Sequence, residues 1–147
     1  MFNDIALLQL NTPLELDDRV KIISLASSEP KDGATGIVSG WGTTESEYQP
    51  LRLKSVNVTI VPREECSQAY VDIMRINAEE ICAADPGKDS CSKDSGGPLV
   101  HNNELVGIVS LGKGCADPQY PGVYVNVAVM RKWIEKGANK LGSLEQI

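Results

Sequence analysis

Alternation of apolar and polar positions organises the middle of this chain. Val56, Val58 and Ile60 are separated by Asn57 and Thr59, the period of two that sets one face of a β-strand against a core. Just upstream, Leu51 and Leu53 alternate with Arg52 and Lys54 in the opposite phase, and the slip between the two runs predicts a β-bulge. Leu105 to Leu111 is a nearly continuous apolar run around Gly107, while Val123, Val125 and Val127 alternate with Tyr124 and Asn126, so both segments are predicted core strands. Asp4 to Leu10 predicts a short apolar strand that Asn11-Thr12-Pro13 ends. Between Leu14 and Lys31 the pattern is loosely apolar with Ser27-Ser28 and Pro30, as expected of an extended connector that lies against a neighbour.

Helical signals come twice. Pro62-Arg63-Glu64-Glu65 places proline and acids where a helix starts, which puts Cys66 on a short helix. Val129, Met130, Trp133, Ile134 and Leu141 share one helical face with Lys132, Glu135 and Lys136 opposite, predicting a terminal amphipathic helix. Thirteen glycines, eight prolines and few aromatic residues in 147 positions leave little room for long helices elsewhere, so the class expected is all-β. Hydrophobic residues make up 41% of the chain, enough for a core.

The net charge of −6, with 20 acidic and 14 basic residues scattered without long runs, argues against nucleic acid as a partner. No stretch approaches the twenty or so apolar residues of a membrane span, and Met-Phe-Asn-Asp at the start carries no basic region of a signal peptide. Four cysteines without a C-x-x-C spacing favour disulfides and an oxidising compartment over a structural zinc site; three pairings are open on spacing alone. Export information is therefore expected outside these residues.

Candidate chemistry concentrates at Cys91-Ser92-Lys93-Asp94-Ser95-Gly96-Gly97-Pro98. A serine among small, flexible neighbours can present its hydroxyl on a tight turn while adjacent amides converge on one point, as acyl transfer requires. Ser95 is the candidate nucleophile; the competing reading is a plain surface turn. Asp-Ser-Gly-Gly-Pro resembles the nucleophile motif of the chymotrypsin and trypsin family. Asn3-Asp4-Ile5-Ala6-Leu7-Leu8 resembles the family's segment carrying the triad aspartate, and Ser39-Gly40-Trp41-Gly42 the opening of its second barrel. Val109-Ser110-Leu111-Gly112, Gly114-Cys115 and Pro121-Gly122-Val123-Tyr124 resemble the specificity-pocket walls.

The resemblance implies the second antiparallel β-barrel of a two-barrel fold, one strand of the first barrel and a C-terminal α-helix: residues 1–10 as remnant strand, 11–30 as connector, 31–128 as barrel and 129–147 as helix and tail. It implies a serine endopeptidase with Ser95 as nucleophile, Asp4 as the acid that orients a histidine, and the amides of Lys93 and Ser95 as an oxyanion hole. Asp89 would sit at the base of a pocket for Arg or Lys, with Ser110, Gly112 and Gly122 on its walls. Cys66 would pair with Cys82 and Cys91 with Cys115. Asp94 would be the buried carboxylate that receives the ammonium of a newly released N-terminus during activation, a part for which Met1 is unsuited, leaving Asp94 without a partner.

Three departures from the family pattern bear on activity. The catalytic histidine is missing, since the single histidine, His101, follows Ser95 by six residues and is expected to be a strand residue. Lys93 stands where the family has an oxyanion-hole glycine, and its Cβ should resist the positive φ such a donor needs. Leu111 replaces the usual tryptophan. The chain alone is thus expected to be inactive and the complete form secreted, trypsin-like and free of cofactors, with polypeptide substrates or protein inhibitors and the missing N-terminal barrel as partners; the alternative is a non-catalytic homologue acting as a binding module. An orphan strand and an uncovered inter-barrel face should lower the solubility of the isolated chain. Size-exclusion chromatography of the isolated chain checks this, and a monodisperse peak with a sharp cooperative melt would contradict it.

Overall fold

The computed structural model describes residues 3–143; Met1, with its expected role, Phe2 and residues 144–147 of the predicted tail lie outside the described residues. In chain order the elements are β1 (Ser24–Leu25), β2 (Thr35–Gly40), β3 (Lys54–Val61), α1 (Arg63–Ala69), β4 (Glu80–Ala84), β5 (Pro98–His101), β6 (Glu104–Leu111), β7 (Gly122–Asn126) and α2 (Val127–Ser143). The sheet runs β6-β5-β2-β3-β4-β7, every pair antiparallel, and β7 returns to β6 to close a six-stranded barrel. Closure leaves no barrel strand with an unpaired edge. β1 lies outside, parallel to the start of β6. The predicted all-β antiparallel barrel with a C-terminal helix is the architecture found, but the strand outside it lies at Ser24–Leu25, within the expected connector, and not at residues 1–10.

The barrel interior takes Val58 and Ile60 from the alternating run of β3, while β5 and β7 contribute residues that alternation did not mark. Val58, Ile60, Leu99, Val106, Val109 and Tyr124 form the interior cluster. Leu99 is fully buried and its Cδ1 reaches into the space beside Gly36, where a Cβ would stand 2.7 Å away. Around Cys66 and Cys82 a second cluster packs Tyr70, Ile76 and Val123, and a third joins Met130 and Ile134 of α2 to Val125 and Val127. β5 turns into β6 through Asn102 and Asn103, both at positive φ (49° and 61°), a conformation asparagine tolerates and tight hairpins require.

Several expectations are displaced. Leu51 and Leu53 are 98% and 54% exposed and precede the strand, so their phase slip marks where β3 begins, and the β2–β3 register runs without a bulge. On α2 the apolar stripe is divided: Met130 and Ile134 are buried, whereas Val129 and Trp133 stand about half exposed. Residues 4–10 pair with no strand among the described residues; Ile5 and Leu7 instead pack on the third cluster, with the even-numbered positions facing out.

The end of the connector is anchored by charge. Arg63 Nη2 donates to both carboxylate oxygens of Glu29 at 2.8 Å, and its Nη1 donates to the carbonyl oxygens of Asn77 and Glu80. Fully buried Asn126 donates to Glu29 Oε1 at 2.6 Å and to the Ala78 carbonyl at 2.9 Å. Leu99→Ala, which empties the barrel centre, should cost about 3 kcal/mol. A lowered urea midpoint with an unchanged m-value in equilibrium unfolding is the expected result.

Candidate active site

Ser95 sits exposed on a turn that hydrogen bonds close from both ends. The Asp94 amide donates to the Cys91 carbonyl at 3.0 Å and the Gly97 amide to the Asp94 carbonyl at 2.8 Å. Gly96 N donates to the Val109 carbonyl at 2.8 Å and Val109 N to the Gly97 carbonyl at 2.9 Å, fastening the turn to β6. Gly96 has φ 83° and Lys93 φ 78°. Lys93 was expected to resist the left-handed region, yet it occupies it. Its amide and that of Ser95 find no acceptor among the described residues, so two donors flank the serine.

Asp94 departs from expectation in the other direction. Its carboxylate is not left without a partner: Oδ1 accepts from Gly42 N at 2.8 Å and Oδ2 from Cys91 N at 3.1 Å. The carboxylate lies directly against Gly40 and Gly42, where a Cβ on either residue would overlap it. This explains the two glycines of Ser39-Gly40-Trp41-Gly42. Beside it opens a cavity of about 650 Å³ whose lining includes Gly40, Gly42, Lys54, Val56, Asp89 and Asp94.

The second carboxylate of the site, Asp89, accepts from Ser90 N at 2.7 Å through Oδ1 and from Ala116 N at 3.3 Å through Oδ2. Burial pushes its pKa up, while those amides pull the other way and the charge of Asp94 adds a smaller upward push. A Cβ on Gly122 would strike Asp89 Oδ1, so that glycine leaves the carboxylate its room. Gly112, in contrast, faces open space on the other wall, with the Gly114 carbonyl 3.6 Å from where a Cβ would be. Tyr124 is fully buried, with its ring 3.2 Å from where a Cβ on Gly122 would stand, and Ser90 lies beside its hydroxyl. Desolvation drives that hydroxyl far above its usual titration range, so it stays neutral.

Ser110 is aimed by an irregularity in the barrel. Val109 pairs with Tyr124 and Leu111 with Val123, so Ser110 is the extra residue of a bulge in the β6–β7 ladder. Its Oγ donates to Asp4 Oδ2 at 2.7 Å, bringing the acid at one end of the chain to the pocket wall. His101 lies elsewhere, at the far end of β5, with Nδ1 2.8 Å from the Thr35 carbonyl oxygen and Nε2 3.0 Å from Asn102. Both implied disulfides are formed, Cys66–Cys82 and Cys91–Cys115. The second ties the nucleophile segment to the opposite pocket wall.

Sequence reading named Ser110 and Tyr124 within the pocket-wall motifs but gave no sign of the bulge at Ser110 or of the complete burial of Tyr124, and it did not consider the loop after Gly42. That loop reaches the serine turn through Thr43 N, which donates to the Ser92 carbonyl at 3.0 Å.

The protein-family model described as Trypsin matches residues 1–134. The chain is 48% identical to trypsin alpha-3 of Lucilia cuprina over 143 residues, covering 96% of this chain and 87% of that protein. It is likewise 48% identical to trypsin alpha of Drosophila melanogaster over 144 residues, covering 96% of this chain and 56% of that protein. Among solved structures, neuropsin, a serine protease expressed in the limbic system of mouse brain, superimposes with a TM-score of 0.82 at 38% identity over 88% of this chain and 59% of that one. The chain thus spans little more than half the length of trypsin alpha and of neuropsin.

The raised pKa of Asp89 carries a stability consequence. The folded state holds this proton more tightly than the unfolded chain, so protonation favours folding, and ionisation lowers stability as pH rises through the folded value, which lies above 3.8. Asp89→Asn should therefore melt at a higher temperature than the parent at neutral pH, with the gap closing as pH falls toward 3.8. Calorimetric melts across that range check it.

Proposed function

This chain belongs to the trypsin family of serine proteases, and from that premise we propose that it supplies the nucleophile, orienting acid and specificity pocket of an endopeptidase that cleaves polypeptides after Arg or Lys. The observation that carries the reading is Asp89, a half-buried carboxylate held by two amides beside a glycine that keeps it open. A guanidinium or ammonium entering there would remove the cost of burying that charge. Ser95 Oγ would attack the carbonyl carbon of the bound residue while the Lys93 and Ser95 amides take the charge developing on the carbonyl oxygen. A histidine would accept the serine proton and return it to the amine as the C–N bond breaks; water would then hydrolyse the acyl-serine by the same steps.

His101 does not serve as that histidine, because it is engaged at the far end of β5. On this reading the base would come from outside these residues, and Asp4, which accepts a hydrogen bond from Ser110, would orient it. The same outside part would cover Leu8, Leu10, Leu14 and Leu16, which are 54–89% exposed. Asp94 and the cavity beside it would receive a new N-terminal ammonium on activation. The two disulfides fit secretion. The engagement of the single histidine, His101, away from Ser95 favours a second reading, a non-catalytic binding module; the left-handed backbone at Lys93 favours the enzyme, because it frees the donor that acyl transfer needs.

Two measurements test this. Benzamidine, an aryl amidinium, should bind the chain and lose binding in Asp89→Asn; equal binding to both sinks the specificity. A form carrying the upstream half, once activated, should be labelled at Ser95 by a fluorophosphonate, and an unlabelled serine there would establish the binding module.

A further inference from the structure

A lysine held at φ 78° two residues before Ser95 is strained, since a Cβ in that region meets the backbone in a way that glycine avoids. Its side chain is not loose. Nζ stands 4.0 Å from the centroid of the Tyr48 ring and donates to Gln49 Oε1 at 3.2 Å. An ammonium carries three donors, and two directions are taken by the ring face and the amide oxygen; the third is open to solvent.

Where this cation points follows from how the serine turn is held. On one side the turn is fastened to the wall that would take the acyl part of a substrate, through Gly96 N to the Val109 carbonyl and the Cys91–Cys115 disulfide. On the other it is fastened to the loop after Gly42, through Thr43 N to the Ser92 carbonyl and Gly42 N to Asp94. Lys93 reaches toward the second side. A peptide whose basic residue fills the pocket above Asp89, and whose carbonyl lies over Ser95, must send its leaving-group half across that loop.

We infer that Lys93, Tyr48 and Gln49 form a subsite on the leaving-group side that takes an acidic side chain one or two residues after the cleaved bond. The inference rests on the endopeptidase reading and narrows its substrate class to a basic residue followed closely by Asp or Glu. Tyr48 and Gln49 hold the ammonium in place, so less side-chain entropy is lost when a carboxylate arrives. In a chain of net charge −6, a fixed cation beside the nucleophile also offsets a field that would otherwise repel such peptides.

The test uses the Ser95→Ala chain, which cannot be acylated, and isothermal titration with two capped peptides, Gly-Pro-Arg-Ala-Glu-Gly and its Gln counterpart. The Glu peptide should bind about threefold more tightly, in the range of an exposed charge pair. That advantage should vanish at high salt and in Lys93→Gln, which keeps the Cβ and the backbone, and should survive in Lys93→Arg. Equal affinities, an advantage that persists in Lys93→Gln, or no binding of either peptide overturns the inference. The same pair with Ala in place of Arg reports separately on the pocket: affinities unchanged by that replacement would sink the Arg specificity, while a retained Glu preference would uphold the subsite.

Discussion

A carboxylate removed from bulk water has to find donors nearby, and Asp94 takes them from two backbone amides on different segments. Gly42 is 52 residues distant in sequence, and Cys91 lies at the start of the same turn. One side chain thereby joins the end of β2 to the nucleophile segment, and the Asp94 backbone bonds to Cys91 and Gly97 give that segment its curvature. Glycine is needed at 40 and 42 because the oxygens lie where side chains would start. The exposed serine, the free amides of Lys93 and Ser95 and the placement of the Lys93 side chain all depend on that joint.

The pocket behind it combines polar groups that are poorly served with walls that are firmly held. Asp89 keeps two amide partners, yet burial still raises its pKa, and burial raises that of the Tyr124 hydroxyl as well. Buried polar groups in this condition lower stability unless a ligand completes them. The disulfide from Cys91 to Cys115 and the closed barrel hold the walls in place, so the deficit is not relieved by collapse.

How much of this could be read from the residues differs from place to place for physical reasons. The serine turn was legible because tight turns impose local chemistry and the motif around Ser95 is contiguous, whereas the cysteine pairing came from the family resemblance alone, spacing having left three pairings open. The barrel strands were legible where one face is buried, as at Val58 and Ile60, but β7 is buried throughout, so alternation there carried no information about facing. The bulge at Ser110 was invisible because a bulge is a property of two strands, and neither Val109 nor Leu111 differs from a regular strand residue. At residues 4–10 the alternation of Ile5 and Leu7 was real, yet it reports burial against α2 rather than strand pairing. Lys93 was misjudged because propensity weighs the residue alone, whereas Tyr48 and Gln49 bear on its side chain from a loop more than forty residues upstream.

The hydrogen bond from Ser110 to Asp4 spans 106 positions of sequence. Contacts of that separation form late, because the entropy of closing so long a loop must be met before the single bond returns anything. β6 and β7 must already be paired, with their extra residue squeezed out, before Ser110 points at its acid. The expected order is therefore that the serine turn matures with the barrel and the hydrogen bond to Asp4 follows. On that order, the position of the Asp4 carboxylate would be the last part of the arrangement to be fixed.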